Sequence, residues 1–305
     1  MANMIKLQQG TQEWLDWRRN GITATEASCC MGVSKWGTAL SVYNDKLNPR
    51  EHTPSEYEEW GTLLEDTIKF KKFGKEHPEF EVVQGECYER DWRKCSLDGE
   101  LRKDGKTVAI LEIKTGSDES AWDPVPQYYY AQVQWQMHVT GIERTYFAVL
   151  IHGHHYLERV VEYDPVYCQK LEEVCAHVWE CICKKEPPKV DPAHADIDQE
   201  VLNDMAVNAT NKAPTHEISD EEFATYTILK EKVEEFEAKL KAQKAILTQY
   251  LTQAEALTYK GQKFGKMIVM KPRESIDTGK LKCEFPDVYE QVKKLGKPTA
   301  YPKFG

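Results

Sequence analysis

The 305-residue chain has no apolar run approaching the roughly 18 residues that cross a bilayer, and Met1 to Lys6 lacks the charged-then-apolar start of an export signal. A cytoplasmic protein with no membrane partner is therefore expected. Positive charge is also in deficit, because 40 Lys and Arg against 50 Asp and Glu leave a net charge of −10. Non-specific affinity for nucleic acid comes from neutralising phosphates with Lys and Arg, so wholesale wrapping of a polyanion is excluded and any such contact must be local. The nine cysteines fall at irregular spacings in a chain without an export signal, so reduced thiols are expected over a disulfide framework, and the usual zinc and iron–sulfur spacings are absent. Within Cys175-Ala-His177 to Cys181-Ile-Cys183, the residues Cys175, Val178 and Cys181/Ile182 read as the buried stripe of a helix. No internal repeat is visible.

An apolar fraction of 41% suffices for a sizeable core. Residues 1–186 read as a mixed α/β unit. Helices are predicted over 12–18, 25–31 and 57–73, the last with Trp60, Leu64 and Ile68 on one stripe. Strands follow at 80–84 and 87–90, pairing with each other, then a hairpin of 97–102 with 108–114, a helix over 126–139, a second hairpin of 145–151 with 156–163, and a closing helix over 165–183. His152, His154 and His155 fall at the turn of that second hairpin and read as solvated. Core packing is expected for at least two of Trp14, Trp17 and Trp36. Residues 187–216, rich in proline and acid at the start, read as a linker. The region 217–305 reads as a long amphipathic helix, a small hairpin turning at Lys260-Gly261 and again near Gly265, and a short helix over 286–294. The last fifty residues carry 11 Lys and Arg against 5 Asp and Glu, so the chain ends in a basic tail.

The chemistry concentrates in Ser96-Leu97-Asp98-Gly99-Glu100 and Leu111-Glu112-Ile113-Lys114-Thr115. On a strand, residues two apart share a face, so Glu112 can hold a divalent cation while Lys114 orients a water or steadies developing phosphorane charge. Register decides whether Asp98 joins them. A two-residue turn at Asp104-Gly105 pairs 103 with 106 and sets Asp98 opposite Leu111, on the wrong face. A bulged turn pairs 103 with 107 and sets Asp98 opposite Glu112. A bulged turn, or an irregular start at Asp98, is therefore predicted. Glu65 on the helix before it can add or orient a ligand, and Gln132 and Gln136 share a helical face.

Together, Gly61-x-x-Leu64-Glu65, Ser96-x-Asp98-Gly99, Glu112-x-Lys114 and Tyr129-x-x-Gln132-Val133-Gln134 resemble the YqaJ/lambda-exonuclease group of viral-type recombination nucleases, within the PD-(D/E)XK superfamily. The resemblance spans roughly residues 10–185 and implies a mixed sheet flanked by helices. It implies a 5′→3′ exonuclease that degrades one strand of linear duplex DNA to 5′-mononucleotides and leaves 3′ tails for a single-strand-annealing recombinase, in a bacterial or phage-infected cell. By the same resemblance Asp98, Glu112 and the carbonyl of Ile113 hold two Mg²⁺ ions, with Mn²⁺ able to substitute, Lys114 and Gln132 position the attacking water, and Glu65 supports the site, through water if it acts as a ligand. Arg18, Thr25 and Ser96 match the holders of the terminal 5′-phosphate, and Tyr129 falls with the DNA-binding residues. A further Arg used by some relatives after the E-x-K strand has no counterpart in the polar, acidic stretch from Gly116 to Ser120. Processive members are ring-shaped homotrimers, so a homo-oligomer is expected. The same catalytic residues would serve an endonuclease, and a DNA-binding protein with a decayed site would have lost one of them.

Overall fold

The structure, a computed structural model, describes residues 2–49, 53–209, 215–269 and 275–294. It divides into two compact units, the first running to Asn208 and the second starting at Ala209.

The first unit opens with β1 (Asn3–Ile5), α1 (Gln12–Arg19), α2 (Ala24–Cys30) and α3 (Ala39–Leu47). Helix α4 (Glu56–Asp66) runs on through a π-helical segment, Thr67–Phe73, into the single turn α5 (Gly74–Glu76). Helices α1, α2 and α4 lie where periodicity predicts them, but α3 escaped that reading. Its signal is a cap: Thr38 accepts from the Ser41 N–H, and Leu40, Tyr43 and Asn44 then bury one face. The expected apolar stripe is only partly covered, since Trp60 on α4 is exposed while Ile68, in the π-helical segment, is buried.

Next come β2 (Glu81–Gln84), β3 (Cys87–Arg90), β4 (Arg93–Ser96), β5 (Gly99–Lys103) and β6 (Lys106–Gly116), then α6 (Gln127–Thr140), β7 (Arg144–Ile151), β8 (His155–Glu162), α7 (Pro165–Lys184) and α8 (Ala195–Asn208). The central sheet has the order β2-β5-β6-β7-β8, with β6 and β7 parallel and the other pairs antiparallel. Helix α6 supplies the crossover that a parallel pair needs. One sheet face packs Leu101, Ala109, Leu111, Ile113 and Ala148 against Ile68 and Phe73, and the other packs Ile110, Phe147, Val149 and Ile151 under the cluster that holds α2, α6 and α7. This is the mixed sheet flanked by helices that the sequence implies.

The expected pairing of 80–84 with 87–90 does not form. Instead β2 and β3 are two halves of one bent strand: β2 pairs with β5 in the central sheet, while β3 pairs with β4 in a smaller sheet of order β1-β3-β4. The register is continuous across the bend, with Gln84 opposite Gly99 and Cys87 opposite Ser96. Gly85 permits the bend, because a Cβ there would lie 2.1 Å from the Leu97 carbonyl oxygen. Asp98 therefore sits at the corner where the chain changes sheets.

Where composition predicts a linker, residues 192–208 fold as a 3₁₀ turn and α8. Asp198 is buried and accepts from the Thr38 hydroxyl at 2.5 Å and the Asp191 N–H at 2.6 Å, and Val201 is buried beside it. The second unit comprises α9 (Asp220–Leu251), the hairpin β9 (Ala256–Tyr259) and β10 (Gln262–Lys266), α10 (Thr278–Glu284) and α11 (Pro286–Val292). The hairpin turns at Lys260-Gly261, both with positive φ, and the second turn expected near Gly265 is a register shift between Lys263 and Gly265. The end of the basic tail, residues 295–305, lies outside the described residues.

Candidate active site

Glu112 and Lys114 project from the same face of β6, and the Lys114 Nζ donates to Glu112 Oε1 at 2.5 Å. Helix α6 covers that face. Gln132 Nε2 donates to Glu112 Oε1 at 2.6 Å and Gln136 Nε2 to Glu112 Oε2 at 2.8 Å, so a carboxylate only 1% exposed receives three donors. Burying a carboxylate is costly unless it is paired and hydrogen-bonded, and here both conditions hold.

Asp98 joins the cluster by a route the sequence anticipated only in part. The turn is the two-residue form, with Asp104 and Gly105 at positive φ and Lys103 opposite Lys106. A bulge lies one step into the strand: Arg102 pairs with Thr107 but Leu101 with Ala109, leaving Val108 as the extra residue. The register beyond it puts Gly99 opposite Leu111, and one residue further Asp98 meets Glu112. Asp98 Oδ2 accepts the Ile113 N–H at 2.8 Å. The joint site forms, and the bulge that makes it sits in β6, not in the turn.

Desolvation, and then the neighbouring charge of Glu112, push the Asp98 carboxyl up to about 8. Burial works against the Lys114 ammonium, but the charges of Glu112 and Asp98 outweigh it and hold that amine above its ordinary value. With its proton kept, Asp98 leaves Glu112 and Lys114 balanced, and a cation that displaces that proton meets two carboxylates around one ammonium.

Glu65 stands close enough for its charge to raise the Asp98 carboxyl further. It is fastened by a residue that the sequence reading missed, Lys69, whose side chain is fully buried in the π-helical segment. Lys69 Nζ donates to Glu65 Oε1 at 2.9 Å and to Gln84 Oε1 at 2.8 Å, and lies 3.7 Å from Asp66. Its stem packs where Gly99 has no side chain, 3.4 Å from the position a Cβ would take. The i,i+4 pairing of Glu65 with Lys69 was legible, but the lysine's burial was not.

The residues matched to phosphate holding also come together. Arg18 reaches the Thr23 and Thr25 hydroxyls at 3.5 and 3.4 Å and lies over the Trp14 ring, 4.5 Å from its centroid. Trp14 Nε1 in turn donates to Ser96 Oγ at 2.9 Å, and the Ser96 carbonyl accepts from Gln136 Nε2 at 3.4 Å, a bond long by normal standards. A continuous chain of contacts thus runs from Arg18 to Glu112. Tyr129 stacks on Trp122 at 5.3 Å and lies 4.9 Å from Lys114 Nζ. Thr25, Lys114, Tyr129 and Gln132 line one cleft of 940 Å³. None of Trp14, Trp17 and Trp36 is a core residue, contrary to expectation: the first two are half-buried and Trp36 is exposed. The three histidines of the β7–β8 turn are solvated.

Comparison with known proteins converges on the same stretch, since residues 13–143 match the model described as the YqaJ-like viral recombinase domain. The match takes in Arg18, Thr25, Glu65, Asp98, Glu112, Lys114 and Gln132. An uncharacterized protein YqaJ of Bacillus subtilis (strain 168) is 27% identical over 98% of this chain and 94% of its own length. Among solved structures, the alkaline exonuclease LHK-Exo from Laribacter hongkongensis is 18% identical, with a TM-score of 0.48 over 58% of this chain and 94% of that one. A phage-related exonuclease from Haemophilus somnus 129PT is 11% identical, with a TM-score of 0.44 over 54% of this chain and 94% of that one. Among the described residues no helix is long and apolar enough to cross a membrane.

Proposed function

We propose that the protein is a divalent-metal-dependent deoxyribonuclease that digests one strand of linear duplex DNA from its 5′ end and leaves a 3′ tail for a single-strand-annealing partner. The observation that carries this reading is the convergence of Asp98, Glu112, Lys114 and Gln132, with Lys114 and Gln132 lining a cleft that Thr25, a hydroxyl within reach of Arg18, also lines. Among the described residues no three His, Cys, Asp or Glu side chains form a ready metal cage. The donors present are nonetheless hard oxygens, which suit Mg²⁺ or Mn²⁺: the carboxylates of Asp98 and Glu112, with the Ile113 carbonyl between Glu112 and Lys114. Buried Gln136 Oε1, beside Glu112, has no hydrogen-bond partner and is free to accept from a water there. Such a cation, bound singly or as a pair, makes a water nucleophilic at neutral pH and offsets charge on the scissile phosphate.

The chain's own groups do the rest. Lys114, hydrogen-bonded to Glu112 and held as an ammonium by it and Asp98, can donate to a phosphate oxygen or to the attacking water. Gln132 and Gln136 hold Glu112 in one rotamer, and Lys69 holds Glu65 beside Asp98. Arg18, with its planar fork, is the group suited to a terminal phosphate, and Thr25 and Ser96 add hydroxyls. Cations placed locally, Lys35 and Lys114 at the cleft and Arg18 beside Thr25, reconcile DNA binding with a net charge of −10. In this reading the enzyme acts in the cytoplasm, as a homo-oligomer.

Digestion of a linear duplex and of its covalently closed circular form, with Mg²⁺, tests the reading. We expect cleavage of the linear form alone, lost in Lys114→Ala and reduced at least tenfold in Arg18→Ala. Cutting of the circle, with Arg18→Ala unaffected, would make the protein an endonuclease.

A further inference from the structure

Trp36 has no part in the chemistry above, and it is 63% exposed in a chain that buries most of its tryptophans at least in part. Its loop, between α2 and α3, is firmly held. The Trp36 N–H donates to Ser34 Oγ at 3.2 Å, and Gly37 packs so closely that a Cβ would lie 2.9 Å from Ser41 Oγ and 3.0 Å from Cys29 Sγ. A large apolar ring presented to solvent on a fixed loop, without being needed in the core, suggests a ligand for its face.

The surroundings specify that ligand. Tyr128 meets the indole edge to face at 4.7 Å, and the Lys35 ammonium lies 4.8 Å from the indole centroid and 5.4 Å from that of Tyr128. Trp36 lines the 940 Å³ cleft together with Lys114 and Gln132, and it also lines a second cavity, of 570 Å³, together with Arg18. It therefore stands on the ridge between the guanidinium suited to a terminal phosphate and the ammonium suited to the scissile one. Between two successive phosphates of a strand there is one nucleoside. We infer that Trp36, flanked by Tyr128 and Lys35, is a stacking subsite for the unpaired base of the 5′-terminal nucleotide. Every base has a π-face, so stacking holds the end without reading its sequence, while Lys35 adds a cation for the backbone. This inference rests on the nuclease reading.

The test is equilibrium binding, in EDTA, of a 5′-phosphorylated duplex whose 5′-terminal nucleotide is an unpaired 2-aminopurine, with the full-length wild type, Trp36→Phe and Trp36→Leu. Phenylalanine keeps a π-face; leucine keeps apolar bulk without one. The wild type and Trp36→Phe should quench the probe. Trp36→Leu should leave it bright and bind roughly tenfold to a hundredfold more weakly, with an unchanged melting temperature. Equal quenching and affinity in Trp36→Leu, or a wild type that binds without quenching, overturns the subsite. If the wild type digests linear DNA and Trp36→Leu does so with the same KM, the subsite alone falls. If the wild type neither binds nor cleaves DNA, the nuclease reading falls with it.

Discussion

Helices α7 and α9 carry the same signal in sequence and have opposite fates in the structure. Both space apolar residues at intervals of three and four, yet α7 buries Cys168, Leu171, Cys175, Val178, Cys181 and Ile182, while α9, at 32 residues, buries none. Phe236 on α9 is 65% exposed and Leu171 on α7 is 0% exposed. Periodicity therefore reports that a helix has a face and leaves open what covers it. In α7 the answer lies in α2, α3 and α6, whose side chains complete one cluster.

The same contrast between covered and open positions orders the expected effects of substitution. The largest concerns the covered charge at the site. Glu112→Gln keeps the shape but weakens the bond to Lys114 and the hold on a cation, and should lower the rate of DNA cleavage by about a thousandfold or more, measured as initial rates at saturating Mg²⁺. Next, Leu171→Ala should cost about 2–5 kcal/mol of unfolding free energy, and Phe236→Ala under about 0.5, both read from denaturant titrations. A comparable loss in Phe236→Ala would mean that the α9 face is covered in solution.

The smallest effect contrasts two glutamates of α7. Glu172 is clamped by Arg93, through Nε at 2.7 and 2.8 Å and also through its terminal nitrogen, and by His138 at 3.1 Å. Burial opposes ionisation of Glu172, but these hydrogen bonds and charges hold its carboxyl at about 2. A depressed carboxyl means that the unfolded chain binds the proton more tightly. The stabilisation is present above pH about 4.5 and is lost as pH falls toward 2. Glu172→Gln should therefore flatten this acid limb of a stability-against-pH curve. Glu180, exposed and paired with the exposed Lys184, should leave it nearly unchanged when replaced by Gln.

The site itself was legible to an unusual depth, because its chemistry sits in short motifs. Glu112-x-Lys114 needs only the two-residue repeat of a strand, and Gln132 and Gln136 only the turn of a helix. Asp98 was harder: its place depends on one extra residue, Val108, and alternation cannot show which side of a turn a bulge will occupy. Lys69 was missed because a lysine on a π-turn falls off the 3.6-residue stripe, so a pattern read at helical period treats it as a surface charge. The small sheet was missed because β2 and β3 are one strand bent at Gly85, and two short apolar runs side by side look like a hairpin. Helix α8 hid behind Pro192 and its acidic neighbours, although Ile197, Val201 and Met205 recur at intervals of four.

The account stands or falls on end-dependent polarity. A linear duplex labelled at either the 5′ or the 3′ terminus, incubated with Mg²⁺ or with EDTA, should release the 5′ label early as a mononucleotide in Mg²⁺ alone, and Glu112→Gln should release none. Early release of the 3′ label, release in EDTA, or no release with either Mg²⁺ or Mn²⁺ would contradict it.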